Sequence, residues 1–252
     1  MTQNLATRRQ ELIGRFRTVF FRRGAAPLAT ALAMLGACTD NVGIAIVRRP
    51  PGGNVDSTPL SSSCMTSGIA SIRDNFDART ELGPRWTMSS DSAPVLLIDG
   101  QIVFRVPQNR VNNAGVIGTD RRSLRDCAAH LELTAVPDAD HNSTAFFVVN
   151  DSVNYLAMFI ENNEIRFLAF VAGRSKGQSR TYDPAADRWL RFREKDGVAL
   201  FQTSSDGQAW TVNMEQPAPA FVNDVHIDFY LYSSSTEPGP HVTTFDNVNV
   251  LP

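Results

Sequence analysis

Near the C-terminus, Val225–Tyr232 (VHIDFYLY) alternates so that two sides of an extended strand differ in chemistry. Val225, Ile227, Phe229 and Leu231 fall on one side, and His226, Asp228, Tyr230 and Tyr232 on the other. The rings offer apolar area for the C–H faces of a sugar, and their polar tips suit its hydroxyls. The blander alternative is a solvated outer face, or a polar lining inside the fold. Trp189, Arg191 and Arg193 form a second set, projecting from the side of their strand opposite Leu190 and Phe192. Two guanidinium groups can clamp a carboxylate in bidentate fashion, or simply be the strand's wet face or cross-strand ion-pair partners. No catalytic residue is assigned, because GxSxG, HExxH, P-loop and GxGxxG signatures are absent. The three cysteines, Cys38, Cys64 and Cys127, show no CxxC or paired-His spacing for a metal.

The elements that must position these residues are strands. Arg188–Glu194 alternates, Asp196-Gly197 suits a type I′ turn, and Val198–Thr203 returns along the first strand. Asp206-Gly207 turns the chain again before Trp210. Further strands are expected at Pro94–Ile98 and Gln101–Val106 around Asp99-Gly100, then at Asp126–Val136, Thr144–Asn150, Tyr155–Glu161, Ile165–Val171, Val225–Tyr232 and Val242–Val250. Eleven to thirteen short strands with turn signals between them, and no convincing amphipathic helix, predict an all-β antiparallel sandwich. No fixed-period repeat points to a propeller or solenoid. Ser204-Ser205-Asp206-Gly207 with Trp210 approaches the Asp-box pattern of sialidases, but the glycine is one position early and there is a single copy. A structural turn is expected, with Asp206 bonding local amides and Trp210 packed beneath.

Composition narrows the class. Of 24 basic and 26 acidic residues, 6 and 1 lie in the first 37 positions, which leaves 18 and 25 and a formal charge of −7. So acidic a remainder argues against nucleic acid as a partner. A monomer is expected.

The first 37 residues read as a secretory signal: a basic segment with Arg8, Arg9, Arg15, Arg17, Arg22 and Arg23, then the short apolar run Ala25–Gly36. Leu35-Gly36-Ala37-Cys38 resembles a bacterial lipobox, which implies lipidation of Cys38, a membrane anchor and an exported lipoprotein of the outer membrane or cell surface. An ordinary signal peptide or an organellar transit peptide is the alternative. Residues 38–68, with RRPPGGN and a Ser run, have tether composition, and Gly43–Val47 is a candidate stray strand. The folded domain is expected over residues 69–252. With Cys38 lipidated and export to an oxidising compartment, two cysteines remain and a Cys64–Cys127 disulfide is expected. Otherwise Cys127 is a buried small hydrophobe and Cys64 a solvent-facing thiol.

The opening Asp74-Asn75-Phe76-Asp77, the RWLRFRE…DG…TSSDG..W hairpin and the terminal Phe245–Val250 (FDNVNV) together resemble the concanavalin A-like lectin/glucanase superfamily, close to its laminin-G-like jelly rolls. The resemblance covers roughly Ile72–Pro252. It implies two large antiparallel sheets, one of them concave, with the chain's first and last strands side by side. It also implies a possible structural Ca²⁺ held by Asp74 or Asp77 with Asp246, since several jelly-roll families hold one there; no other cofactor is expected. Laminarinase-type members carry E-x-D-x-x-E on one strand. That run is absent here, and Glu161 with Glu164, or Asp138 with Asp140, read as solvated turn acids. The arginine-glutamate and QIH strands of the alginate-lyase relatives are also missing. The expected function is a surface-anchored, non-catalytic module binding glycan or another envelope ligand. The alternatives are a polysaccharide-active enzyme with unrecognised catalytic residues and a purely structural envelope component.

Overall fold

The computed structural model describes residues 55–77, 79–89, 94–106, 112–137, 142–233 and 241–252. Cys38, Gly43–Val47, Asp138 and Asp140 lie outside them. The described strands are β1 (Val55–Asp56), β2 (Trp86–Met88), β3 (Val95–Ile98), β4 (Gln101–Val106), β5 (Asn112–Gly118), β6 (Ala128–Ala135), β7 (Asn142–Asp151) and β8 (Asn154–Glu161). They continue with β9 (Glu164–Val171), β10 (Arg174–Thr181), β11 (Trp189–Lys195), β12 (Val198–Ser204), β13 (Trp210–Pro217), β14 (His226–Ser233) and β15 (His241–Asp246). A five-residue helix, α1 (Ser62–Thr66), precedes the sheets and is capped by the Ser61 hydroxyl on the Cys64 amide.

The strands form a two-sheet antiparallel jelly-roll sandwich. One sheet has eight strands in the order β1-β13-β12-β11-β6-β15-β4-β3, the other seven in the order β10-β9-β8-β7-β14-β5-β2. The first and last strands are not neighbours, since β1 pairs with β13 and β15 lies between β6 and β4, but Asp74 of the opening DNFD bridges Val248 in antiparallel fashion. The turns follow their chemistry. Asp196 and Gly197 have φ of 52° and 78°, and Asp99 and Gly100 have 51° and 78°, the left-handed pair that a type I′ hairpin needs.

Alternation decides which side chains meet between the sheets. Leu190 and Phe192 of β11, Phe201 of β12, Phe146 and Val148 of β7, and Ile227, Phe229 and Leu231 of β14 all join one buried cluster. Phe104, Phe229 and Phe245 interlock there, with ring centroids 5.0–5.9 Å apart.

Besides β1, two strands were not expected from the sequence. β10 (RSKGQSRT) is an edge strand with little buried area, so no apolar period marks it. β5 (NNAGVIG) is interrupted by Gly115 and Gly118, which weaken its strand signature.

The domain boundary also moves. Residues 55–68, expected within the tether, are part of the fold: Val55 and Asp56 pair with Thr211 and Trp210, and Cys64 and Cys127 form a disulfide with Cα atoms 5.0 Å apart. The physical reason is Asp56, whose carboxylate meets Arg191, Arg193 and Gln202. A Pro/Ser-rich composition gives no hint of a single carboxylate acting at a distance of 135 or more residues.

Candidate functional site

β14 presents His226, Asp228, Tyr230 and Tyr232 on the side of the seven-stranded sheet that faces away from the core. Its neighbours extend that side. In register, Asp228 stands opposite Phe147 and Tyr230 opposite Ala145 on β7. Phe147 is opposite Ala157, Val149 opposite Tyr155 and Ala145 opposite Phe159 on β8. Tyr155 is opposite Phe170, and Phe159 opposite Arg166, on β9.

The result is a continuous row of rings across four strands. Tyr232 stacks on Tyr230 with centroids 5.3 Å apart, and Tyr230 meets Phe147 edge-on at 5.6 Å. Phe147 contacts Phe159 at 5.2 Å and Tyr155 at 6.0 Å, and Tyr155 stacks on Phe170 at 4.4 Å. Small residues make room for them. Ala145, Ala157 and Gly115 stand opposite rings on adjacent strands. A Cβ on Gly115 would collide with the Tyr230 ring and the Ser89 hydroxyl.

Polar groups flank the row. Arg121 donates from its guanidinium to Nδ1 of His226 at 3.1 Å, and Nε2 of His226 lies 3.3 Å from Oδ1 of Asp228. Because a guanidinium only donates, Nδ1 must accept, and a neutral imidazole then carries its proton on Nε2, toward Asp228. The Tyr230 hydroxyl donates to Oδ2 of Asp228 at 3.4 Å. Burial, then the charge of Asp228 and the neighbouring Tyr155, push the Tyr232 hydroxyl well above the ordinary phenol value. Burial does the same to Tyr155. At the far edge Arg166 pairs with Glu161 and Glu164, each at 3.3 Å.

The second candidate set is elsewhere. Trp189, Arg191 and Arg193 lie on β11 in the eight-stranded sheet, on its outer side, opposite Glu132, His130 and Ala128 of β6. The two candidate sets therefore lie on the outer faces of two different sheets. Both arginines are buried, and both donate to Oδ2 of Asp56, at 3.0 and 2.7 Å. Trp189 is buried beside His130, with centroids 6.1 Å apart.

The aspartates of the expected calcium site each have protein partners. Asp74 pairs with Arg79 and accepts from the Trp86 indole at 2.8 Å and the Phe76 amide at 2.9 Å. Asp77 accepts from Asn75 at 2.5 Å, and Asp246 accepts from its neighbour's amide at 2.7 Å and from Gln101 at 3.5 Å. Burial raises the Asp246 carboxyl, and the charges of Glu132 and Asp77 add to that against these hydrogen bonds. Among the described residues, no group of three or more His, Cys, Asp or Glu side chains is arranged to hold a metal ion.

The Ser204–Gly207 turn is structural, as expected. Oδ1 of Asp206 accepts from the Gln208 and Ala209 amides at 2.9 and 3.0 Å; Trp210 is buried, but the ring set against Gly207 is that of Trp189.

Phe147, Tyr155, Phe159 and Phe170 were missed at the sequence level. The signal was present: STAFFVVN and YLAMFIE are apolar at both parities, whereas an antiparallel strand with one wet face should alternate.

No protein-family profile matches the chain, and no curated protein does. Solved structures do match in fold. The apo Crh5 transglycosylase superposes with a TM-score of 0.55 at 9% identity, covering 78% of this chain and 90% of that one. The endo-β-1,3-glucanase of Pyrococcus furiosus gives 0.55 at 10% identity, covering 70% and 91%. LamA of Z. galactanivorans, solved with laminaritriose and laminaritetraose, gives 0.53 at 7% identity, covering 71% and 95%. These neighbours are glycoside-hydrolase-like β-sandwiches, and the architecture is consistent with a concanavalin A-like fold. At such identities the likeness is one of fold.

Proposed function

We propose that this protein is a non-catalytic, surface-anchored jelly-roll module that binds a glycan on the outer face of its seven-stranded sheet. The observation that carries the reading is the row Tyr232–Tyr230–Phe147–Tyr155–Phe170, five rings outside the inter-sheet core, with Tyr230, Phe147 and Tyr155 buried, Tyr232 and Phe170 half-buried, and Asp228, His226 and Arg166 alongside. Stacked aromatic area with convergent polar groups is what sugar recognition uses. Fold neighbours named as a glucanase, a transglycosylase and a laminari-oligosaccharide complex support a glycan over other ligands. Binding is favoured over turnover because the acids of this face have protein partners: Glu161 and Glu164 pair with Arg166, and Asp228 accepts from the Tyr230 hydroxyl.

The lipobox-like LGAC segment supports an anchor at Cys38, and the Cys64–Cys127 disulfide fits an exported protein. An enzymatic reading draws on one observation, the His226–Asp228–Tyr230 cluster.

A polysaccharide array probed with the full chain tests the proposal, run beside reducing-sugar and unsaturated-product assays on the same polymers. Retention without product is expected. Product release that Asp228→Ala abolishes would replace binding with catalysis, and no retention on any polymer would leave a structural component.

A further inference from the structure

The outer face of the eight-stranded sheet carries a second arrangement, unrelated to the aromatic row. Oδ2 of Asp56 accepts three hydrogen bonds: from Arg193 at 2.7 Å, from Arg191 at 3.0 Å and from Nε2 of Gln202 at 3.0 Å. Oδ1 accepts from the Thr58 amide at 3.1 Å. Each donor is itself positioned. Nε of Arg191 donates to Oε1 of Gln202 at 2.7 Å, and the Arg191 guanidinium lies over the Trp210 ring, 4.1 Å from its centroid. Arg193 also donates to the Thr58 carbonyl at 2.7 Å and reaches that of Pro59 at 3.5 Å, and Arg191 reaches the Asp56 carbonyl at 3.4 Å.

Arg191, Arg193 and Gln202 are 6%, 4% and 0% exposed, so the receptor side is built into the sheet. The group that fills it comes from the sheet's margin. Asp56 belongs to a two-residue strand at the end of the sheet, which among the described residues pairs with Thr211 and Trp210. Charge and hydrogen bonding are both incomplete: two buried guanidinium groups face one carboxylate, and Nε of Arg193 is buried without a hydrogen-bond partner. Burial, set against the Asp56 charge and joined by repulsion from Arg193, holds the Arg191 guanidinium down at about 9.

We propose that Arg191, Arg193 and Gln202, floored by Trp210, form a carboxylate-binding site that the chain's own Asp56 closes. Residues 55–58 act as an internal ligand, and a carboxylate from another molecule takes the same three donors when this strap lifts. The ligand class is a carboxylate, supplied by a uronic-acid glycan or by an acidic residue in an extended peptide. A glycan bound here would be charged, and its capture would be independent of the aromatic row on the other sheet.

Chemical rescue tests this on the full chain. Asp56→Ala should lower the melting temperature by roughly 10 °C, the scale of breaking a buried ion pair in a domain this large. Acetate should then raise it saturably, by about 3–6 °C at ten times its dissociation constant, while chloride at equal ionic strength does not. Adding Arg193→Gln to Asp56→Ala should abolish the acetate response. Glucuronate and a tetrapeptide copy of residues 55–58, titrated in parallel, distinguish the two sources by which one saturates at lower concentration. Should Asp56→Ala fail to fold, Asp56→Asn keeps the strap's shape while removing its charge, and the same carboxylate-specific rise is expected. Equal responses to acetate and chloride, or an acetate response that survives Arg193→Gln, would overturn the site. Neither result bears on glycan retention by the aromatic face.

Discussion

Tyr230 of β14 and Phe147 of β7 meet edge to face, 5.6 Å between ring centroids and 88° between planes, on the side of their sheet turned away from the core. The pair joins the two tyrosines of β14 to the rings of β8 and β9. Replacing either ring by Ala should weaken glycan binding about tenfold, the scale of one aromatic anchor, and, because both side chains are buried, should also lower the melting temperature. Affinity electrophoresis in gels containing a retained polysaccharide reads this directly; unchanged mobility shifts for both variants would remove these rings from the binding face.

Gly115 shapes the row from below. Since a Cβ there would overlap the Tyr230 ring, Gly115→Ala should tilt that ring and reduce affinity. A double-mutant cycle makes this specific: once Tyr230→Ala is present, adding Gly115→Ala should cost little further affinity. Fully additive losses would mean that Gly115 acts on something other than Tyr230.

The disulfide between Cys64 and Cys127 closes a segment with a sequence separation of 63. In the chain-entropy picture such a crosslink destabilises the unfolded state by roughly 4 kcal/mol. The protein, purified and denatured without reductant, should show no titratable thiol from either cysteine, and reductant should lower its melting temperature. Two reactive thiols under those conditions would contradict the crosslink.

Stability should fall in acid in two stages. Burial and the Arg191 charge hold the His130 imidazole at about 3, below its ordinary 6.5. The unfolded chain therefore binds that proton more readily, and the stability this group contributes is complete above about pH 6.5 and declines as pH falls toward 3. Asp56 follows at lower pH. Desolvation raises its carboxyl, but hydrogen bonds from Gln202 and the Thr58 amide, with the charges of Arg193 and Arg191, outweigh that and bring it from 3.8 to about 2. Its contribution is present above about pH 4 and is lost as pH falls through 2. Melting temperatures from pH 7 to pH 4 should thus slope less steeply for His130→Leu than for the unaltered protein. Equal slopes would exclude His130 as the source.

Particular residues show why the fold was easier to read than the site. Asp196-Gly197 and Asp99-Gly100 carry their backbone geometry in their own chemistry, and Leu190 and Phe192 alternate as a half-buried strand must. Short-range signals of this kind survive in one dimension. β14 could be phased for the same reason, because Ile227, Phe229 and Leu231 alternate with polar-capable neighbours. The rest of the aromatic row depends on registers between β14, β7, β8 and β9, and no local pattern states which rings become neighbours. Arg191 and Arg193 looked free for a ligand because their partner, Asp56, stands more than 130 residues away in a segment of tether-like composition.

The most direct test of the account is a calorimetric titration of the full chain with an oligosaccharide from the best-retained polysaccharide, repeated on Phe147→Ala. Saturable binding with a negative heat-capacity change, weakened about tenfold by the substitution and accompanied by no product, is the expected result. Equal affinity in the two proteins, or breakdown of the oligosaccharide during the titration, would contradict a non-catalytic glycan site on this face.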